Sequence, residues 1–425
     1  MTVLDQMTRL GMQAKVASRQ LSQMSAAEKN AALLAMAESL EGPTAPLLEA
    51  NARDLEVGRQ LGLSAAMLDR LALTEARVAA MARGLRDVAA LPDPVGRILD
   101  QRTRPNGLRI EKVSSPIGVV VIIYESRPNV TSDAASLCLK SGNACILRGG
   151  KEALHSNQWI AQAMIEAARR RVPSFPEHAI QVVPIADREA IPALLSLTQY
   201  VDLCMPRGGE GLIRAVTECS KVPVIKHYKG VCHVFVDRDA EMEMAERIVI
   251  NAKCQRPSTC NAMETLLVDR SVAARFLRLI LPGLVQYKVE VRGDSESLAA
   301  LAAGPGLKTV IATEADYATE HNDFVLNIRV VDGVLEAAAH IAQFGSAHSD
   351  CIVTANASTA RRFLSEVDSA AVYWNASTRF TDGGEFGMGA EIGISTDKVG
   401  ARGPMGLEEL TTYRWLVYGN GQVRA

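Results

Sequence analysis

The sequence predicts an α/β protein of two doubly wound parallel-sheet units that carries one small β-hairpin, and three observations support this. The 425 residues exceed what one core accommodates, since single cores stop growing near about 250–300 residues. Strand-like and helix-like runs alternate in two successive series, the pattern of parallel sheets with helices between the strands. The run 117–123 is apolar throughout, rich in β-branched residues and too short for a helix, as a strand covered on both faces reads. With 48% hydrophobic and only 4% aromatic residues, the core is expected to be built of Ala, Leu and Val rather than of rings.

Residues 25–91 read as consecutive helices. Ser25 and Glu28 stand at the spacing where each side chain bonds the other's backbone N–H at a helix start, and Leu33, Met36, Ala37 and Leu40 recur at helical period. After Pro92-Asp93-Pro94 the text changes, and 95–113 holds an Asn106-Gly107 turn signal between segments able to pair as a hairpin. Exposed hairpin edges need a cover, and residues 413–418 are the expected one, from this chain or from a second copy. Strands are expected at 117–123, 144–147, 180–183 and 200–204, with helices near 152–171, 188–196 and 209–218. A second alternation follows Val222-Pro223, with strands at 231–236, 265–268, 309–311, 325–331 and 351–354 and helices near 240–252 and 272–281. Neither a repeat nor a low-complexity linker separates the two series, so the boundary near 223–232 rests on pattern alone.

A net charge of −2 and a pI near 6.4 leave no positive field for nucleic acid or an anionic membrane. Residues 1–20 lack an apolar signal core, no run approaches the roughly 20 residues that span a bilayer, and a cytoplasmic protein is expected. The eight cysteines, at 138, 145, 204, 219, 232, 254, 260 and 351, stand without a C-x-x-C pair. Neither a disulfide framework nor a metal site is suggested, and most of these thiols are expected to be small buried hydrophobes.

Three turns are candidates for holding nucleotide phosphates: Arg148-Gly149-Gly150-Lys151 after a strand, Arg207-Gly208-Gly209 before a helix, and Lys229-Gly230. Glycine lets the backbone approach a phosphate and a helix N-terminus favours an anion, yet none of the three is a G-x-G-x-x-G or P-loop pattern. Residues 251–264 leave a helix, break at Pro257 and enter a strand, which puts Cys260 on a loop. Loops on a rigid scaffold display nucleophiles; one more buried structural thiol is the competing reading, and the residues by themselves leave both standing.

The order Ser115-Pro116-Ile117-Gly118-Val119-Val120, a nucleotide-type turn, then a loop cysteine before a strand resembles the aldehyde dehydrogenase superfamily. Four motifs resemble one branch of it, the γ-glutamyl phosphate reductases: residues 124–130, residues 255–257 with 260–265, residues 375–380 with 391–396, and residues 402–408. The similarity covers essentially the whole chain. It implies an aldehyde dehydrogenase-like fold with a cofactor domain at 1–94 and 114–228, a catalytic domain at 229–372 and oligomerisation strands at 95–113 and 405–425. Residues 373–404 are then a substrate-side loop region that returns to the cofactor domain. It also implies NADPH-dependent reduction of γ-glutamyl phosphate to glutamate semialdehyde, the second step of proline biosynthesis, with Cys260 as the nucleophile that forms a thioester. A homo-oligomer without metal and a functional association with glutamate kinase belong to the same implication; this chain leaves no room for the kinase itself.

By that resemblance the Cys260 backbone N–H and a polar group near Ser126 or Asn129 stabilise the oxyanion. Arg148, Gly149, Gly150, Lys151, Arg207, Gly208 and Gly209 hold the cofactor, and Glu320 matches the acid on the nicotinamide ribose. Arg379 with Asn375, Ser377 and Thr378 receives the substrate's α-groups, in competition with Arg127 and Arg256, because a guanidinium fork matches a carboxylate. Lys151 stands where many relatives carry the acid that favours NAD, and a cation there suits a 2′-phosphate. Two segments depart from the hydrolytic members: a Trp-Asn-Phe-Pro-like stretch reads Glu125-Ser126-Arg127-Pro128, and Glu-Leu-Gly-Gly reads His227-Tyr228-Lys229-Gly230. Loss of the water-activating glutamate makes chemical sense, since a base that activated water would hydrolyse the thioester. His227 stands between proton transfer and a structural hydrogen bond. A hydrolytic aldehyde dehydrogenase and a non-catalytic nucleotide-binding protein of the same fold are the rival readings.

Overall fold

Helix-capping chemistry organises the start of the chain. In the computed structural model, which describes residues 1–42, 44–301 and 306–424, the first helices are α1 (Val3–Leu21), α2 (Ala26–Glu41), α3 (Ala45–Gln60), α4 (Ala65–Leu71) and α5 (Glu75–Ala90). Thr2, Ser25, Ser64 and Thr74 each accept a backbone N–H in the first turn, and Ser25 and Glu28 form the reciprocal box that their spacing predicts. Leu33, Met36, Ala37 and Leu40 are buried together on α2.

A hairpin of β1 (Ile98–Thr103) and β2 (Arg109–Pro116) follows, turning at Gly107 with φ of 86°. The C-terminal strand Thr411–Tyr418 pairs antiparallel with the other side of β2, so the expected cover comes from this chain. Next come β3 (Val119–Tyr124), α6 (Asn129–Lys140), β4 (Ala144–Arg148), α7 (Leu154–Arg171), β5 (Ile180–Val182), α8 (Ala190–Leu195), β6 (Leu203–Arg207) and α9 (Glu210–Cys219). The four strands form a parallel sheet in the order β5-β4-β3-β6, and all of β3 is buried. The strand expected at 200–204 lies at 203–207 instead. Tyr200 and Val201 close a turn back onto the Leu197 carbonyl, and the Asp202 carboxylate accepts the Val119 N–H at 2.8 Å, which leaves pairing to start at Leu203.

The chain divides into two units: Met1–Lys226 with Gly387–Gly393 and Met405–Ala425, and His227–Phe386 with Ile394–Pro404. The second unit contains β7 (Cys232–Val236), α10 (Met242–Cys254), β8 (Met263–Asp269), α11 (Arg270–Gln286), β9 (Glu290–Gly293), α12 (Ser295–Leu301) and β10 (Lys308–Ile311). It continues with α13 (Glu314–Tyr317), β11 (Val325–Val331), α14 (Val334–Phe344), β12 (Ser349–Val353), α15 (Ala357–Glu366) and β13 (Ala371–Trp374). Among the described residues its sheet is parallel throughout, in the order β10-β9-β11-β8-β7-β12-β13. Strand side chains alternate between faces. Val234, Val236, Leu266 and Val268 join Phe276, Leu277 and Ile280 of α11 in one core, while Phe235, Leu267 and Ile352 join Ile341 of α14 and Phe363 of α15 in the other. Each such Val, Leu or Phe contributes roughly 1.5–3 kcal/mol by burial. No helix among the described residues is long and apolar enough to cross a membrane.

Candidate active site

Parallel strands put their equivalent ends side by side, so residues distant in sequence meet at one sheet edge. In the first unit the carboxyl ends of the neighbouring strands β4, β3 and β6 gather three turns, at 148–151, 125–127 and 207–209, which is where open α/β sheets bind ligands. The Glu125 carboxylate accepts the Gly209 N–H at 3.3 Å, ahead of an α9 N-terminus that has no side-chain cap. An anion is therefore already accommodated there. Arg148 is partly buried, gives N–H bonds to the Gly149 and Ala186 carbonyls, and leaves its buried Nε without a partner. Burial lowers the Arg148 pKa, and the nearby Arg188 charge lowers it further. With exposed Lys151, and with Arg127 and Arg207 in the neighbouring turns, this edge is rich in basic residues, a donor set that fits an anionic nucleotide. Gly149 and Gly150 are needed for packing as well, since a Cβ would lie 2.1 Å from Asn157 Nδ2 and 1.9 Å from a Glu152 carboxylate oxygen, respectively. The Arg207 guanidinium lies over Gly393, where a Cβ would sit 2.4 Å from it. Buried Ser126 gives its hydroxyl to Glu152, and exposed Asn129 gives its amide to Asp133 at 2.9 Å, so both expected oxyanion donors are engaged by carboxylates.

The second unit uses the opposite edge. Cys260 precedes β8, Gly230 precedes β7 and His348 precedes β12, and these three strands are neighbours. Their amino ends bring one ring nitrogen of His227, one of His348 and the Cys260 Sγ within 4.8 Å of one another. A Cβ on Gly230 would lie 1.9 Å from the Cys260 carbonyl oxygen. Gly230 thus makes room for the cysteine loop, a role different from the phosphate contact expected of the Lys229-Gly230 turn. His227 Nδ1 is 2.8 Å from the Ile394 carbonyl; a carbonyl only accepts, so this nitrogen carries the proton. Buried His348 has Nδ1 2.8 Å from Ser349 Oγ, which continues to Thr381 Oγ1 at 2.6 Å and Tyr373 OH at 2.7 Å. Burial, and after it the His227 charge, push the His348 pKa down to about 3, so its ring is neutral at physiological pH.

The loop is tied at its base and along its side. Lys253 in the last turn of α10 and Glu264 in β8 are fully buried and paired at 2.8 Å across the two ends of the loop. Burial pushes the Glu264 carboxyl up to about 7, against the pull of Lys253 and with a smaller upward push from Glu320. That interaction places Glu320 near Glu264. Asn261 donates to the Arg379 carbonyl at 3.3 Å and the Thr381 carbonyl at 2.9 Å, and Thr378 Oγ1 returns a bond to the Asn261 carbonyl at 2.7 Å. Arg379 is held by Gln255 Oε1 at 2.8 Å; burial lowers its pKa, and a Cys260 charge opposes that lowering. Exposed Arg256 lies near it as a second cation.

Other residues of the expected substrate group build the loop itself. Asn375, at φ 58°, spends its amide on both backbone groups of Thr354; Ser377 caps the turn at Arg379; Thr378 is fully buried. Of the expected substrate group, Arg379 and Arg256 are the guanidinium groups that stand beside the cysteine loop. Arg127 is exposed at the edge of the first unit. His348, Asn261 and the Lys253–Glu264 pair escaped the sequence reading: a histidine some ninety residues from its cysteine leaves no local pattern, although Asn261 and Glu264 lie inside the recognised motif. Among the described residues Cys219 and Cys260 are the cysteines with partial exposure, and the other six are buried.

The aldehyde dehydrogenase family model matches residues 5–313. The chain is 54% identical over 414 residues to the gamma-glutamyl phosphate reductase of Moorella thermoacetica, covering 97% of each chain. It is 54% identical over 419 residues to that of Opitutus terrae, covering 98% of each. The chain belongs to the gamma-glutamyl phosphate reductase branch of the aldehyde dehydrogenase family. A crystal structure of another member, from Thermotoga maritima, superposes with a TM-score of 0.95 at 44% identity, over 99% of this chain and 100% of that one. The acetylating aldehyde dehydrogenase of Geobacillus thermoglucosidasius, at 17% identity and a TM-score of 0.68, shares the fold.

Proposed function

We propose that this protein reduces γ-glutamyl phosphate to glutamate 5-semialdehyde and phosphate with NADPH, through a thioester on Cys260. The observation that carries the reading is a loop cysteine beside a guanidinium and an imidazole, clamped at both ends of its loop, in a chain 54% identical to gamma-glutamyl phosphate reductases. Arg379 favours the thiolate. His227, with its proton fixed on Nδ1 by Ile394, takes the thiol proton at Nε2. The thiolate attacks the γ-carbonyl carbon, a C–S bond forms and the phosphate leaves with the C–O bonding pair. A nicotinamide cofactor, when bound, would supply the hydride that reduces the thioester carbon. The resulting thiohemiacetal oxyanion collapses, releasing aldehyde and the thiolate. The Cys260 backbone N–H is the donor of choice for that oxyanion, since Ser126 and Asn129 bond Glu152 and Asp133. Arg379 and Arg256 receive the substrate's anionic groups, Arg148, Lys151 and the 207–209 turn hold the dinucleotide, and Glu320 takes the nicotinamide ribose. Basic residues at 148, 151 and 188 favour the 2′-phosphate of NADP. Eight cysteines that form no disulfide suit a reducing cytoplasm.

The test runs the reaction in reverse, following NADPH formation from glutamate semialdehyde, NADP and phosphate. Turnover is expected to need phosphate and to fall at least about a thousandfold in Cys260→Ala, the scale seen when a covalent nucleophile is removed. Turnover that ignores phosphate would make water the acyl acceptor and the protein a hydrolytic dehydrogenase.

A further inference from the structure

We infer that His227, Cys260 and His348 form a binding site for a thiophilic divalent cation of the Zn2+ class, which blocks the enzyme reversibly by taking the nucleophile as a ligand. The blocking consequence rests on the reading of Cys260 given above; the site itself does not. A thiolate and two imidazoles are a zinc donor set, with the fourth position left to water. The donor atoms lie within 4.8 Å of one another, and a tetrahedral zinc with its usual bond lengths needs roughly 3.3–3.6 Å between them. A closure of up to roughly 1.2–1.5 Å falls to side-chain rotations of His227 and Cys260, the two partly exposed members of the group. Both rings are already oriented as metal-binding histidines are, by a hydrogen bond from the other nitrogen: His227 Nδ1 to the Ile394 carbonyl, and His348 Nδ1 to the chain Ser349, Thr381, Tyr373. The second nitrogen of His348, Nε2, is buried in a residue with no exposed surface and makes no hydrogen bond. A cation would satisfy it. No carboxylate belongs to the triad, so Mg2+ and Ca2+, which prefer oxygen donors, are excluded as occupants. Arg379 opposes added positive charge, which keeps the site weaker than a closed structural zinc centre. Binding replaces the S–H bond by an S–metal bond and releases the proton to solvent, with no change of oxidation state.

Co2+ serves as the probe, titrated into the full-length protein and then displaced by Zn2+. The expected result is one equivalent bound with a sulfur-to-cobalt charge-transfer absorption that Zn2+ abolishes, and a loss of reductase activity that a chelator restores. The absorption is expected to vanish in Cys260→Ala, and affinity to fall at least about tenfold in His348→Gln, at or above the scale set by losing an outer-shell partner. His227→Asn provides the same reading if His348→Gln fails to fold. Absence of the band, its persistence in Cys260→Ala, or unchanged affinity in His227→Asn would overturn the site. Metal bound at Cys260 with full turnover would leave the site standing and sink the thioester reading; a Cys260-dependent reaction in a protein that binds no Co2+ would do the reverse.

Discussion

Gly230 has no side chain because the Cys260 carbonyl occupies the space where one would be. Alanine there must push the cysteine loop away, and displacing a reacting group by about 1 Å costs about a hundredfold in rate. Gly230→Ala is therefore expected to lower kcat by that order while the circular dichroism of the folded protein is kept; steady-state kinetics on the purified variant reads it. Glu264 offers a second test. Its carboxyl, raised from 4.5 to about 7 by burial, binds its proton more tightly folded than unfolded, so the associated stability is fully present below pH 4.5 and is lost as pH rises through 7. The stability difference between the protein and Glu264→Gln should drift against the wild type across that window in urea denaturation. A difference that is flat with pH would mean that Lys253 keeps Glu264 ionised throughout. Lys253→Met, which leaves the carboxyl buried without its cation, is expected to cost about 3–5 kcal/mol above pH 7.

At the scale of the element, the Cys260 loop behaves as a strap fastened at three places: Lys253–Glu264 at its base, Gly230 beneath it, and Asn261 to the carbonyls of 379 and 381. Asn261→Ala removes the last fastening, and with it the tie between the nucleophile and Arg379. The expected outcome is a higher KM together with a lower kcat, whereas a purely structural effect would lower the melting temperature and leave KM alone. Much of this architecture was legible in the sequence. The apolar run 117–123 reads as a buried strand and the strand lies at Val119–Tyr124, while 325–331 matches to the residue because its β-branched run is bounded by polar turns. The short strands Glu290–Gly293 and Ala371–Trp374 have no counterpart in the sequence reading, both being four residues long and the first only partly apolar, and α11 runs past Pro282 because burial of Leu284 holds its last turn. The cysteine loop was legible through its motif; its partners were not, because parallel pairing of β8, β7 and β12 joins positions 260, 230 and 348 through strand order, which no local spacing encodes.

At the scale of the molecule, the C-terminal strand Thr411–Tyr418 ends its sheet with Tyr413 50%, Trp415 48% and Val417 57% exposed along one face. An edge strand with exposed rings is a template for association. We expect a homo-oligomer in solution, and Trp415→Glu with Val417→Lys should move the sedimentation coefficient to that of the monomer; a wild type that sediments as a monomer removes the idea. A different consequence follows from where the thiols lie. Six cysteines are buried, and Cys219, partly exposed, has its thiol pushed up by burial. A mild alkylating reagent therefore meets one thiol placed for reaction, beside Arg379. Its rapid uptake would serve as an active-site titration, counting the competent molecules in a preparation without the short-lived acyl phosphate ever being made.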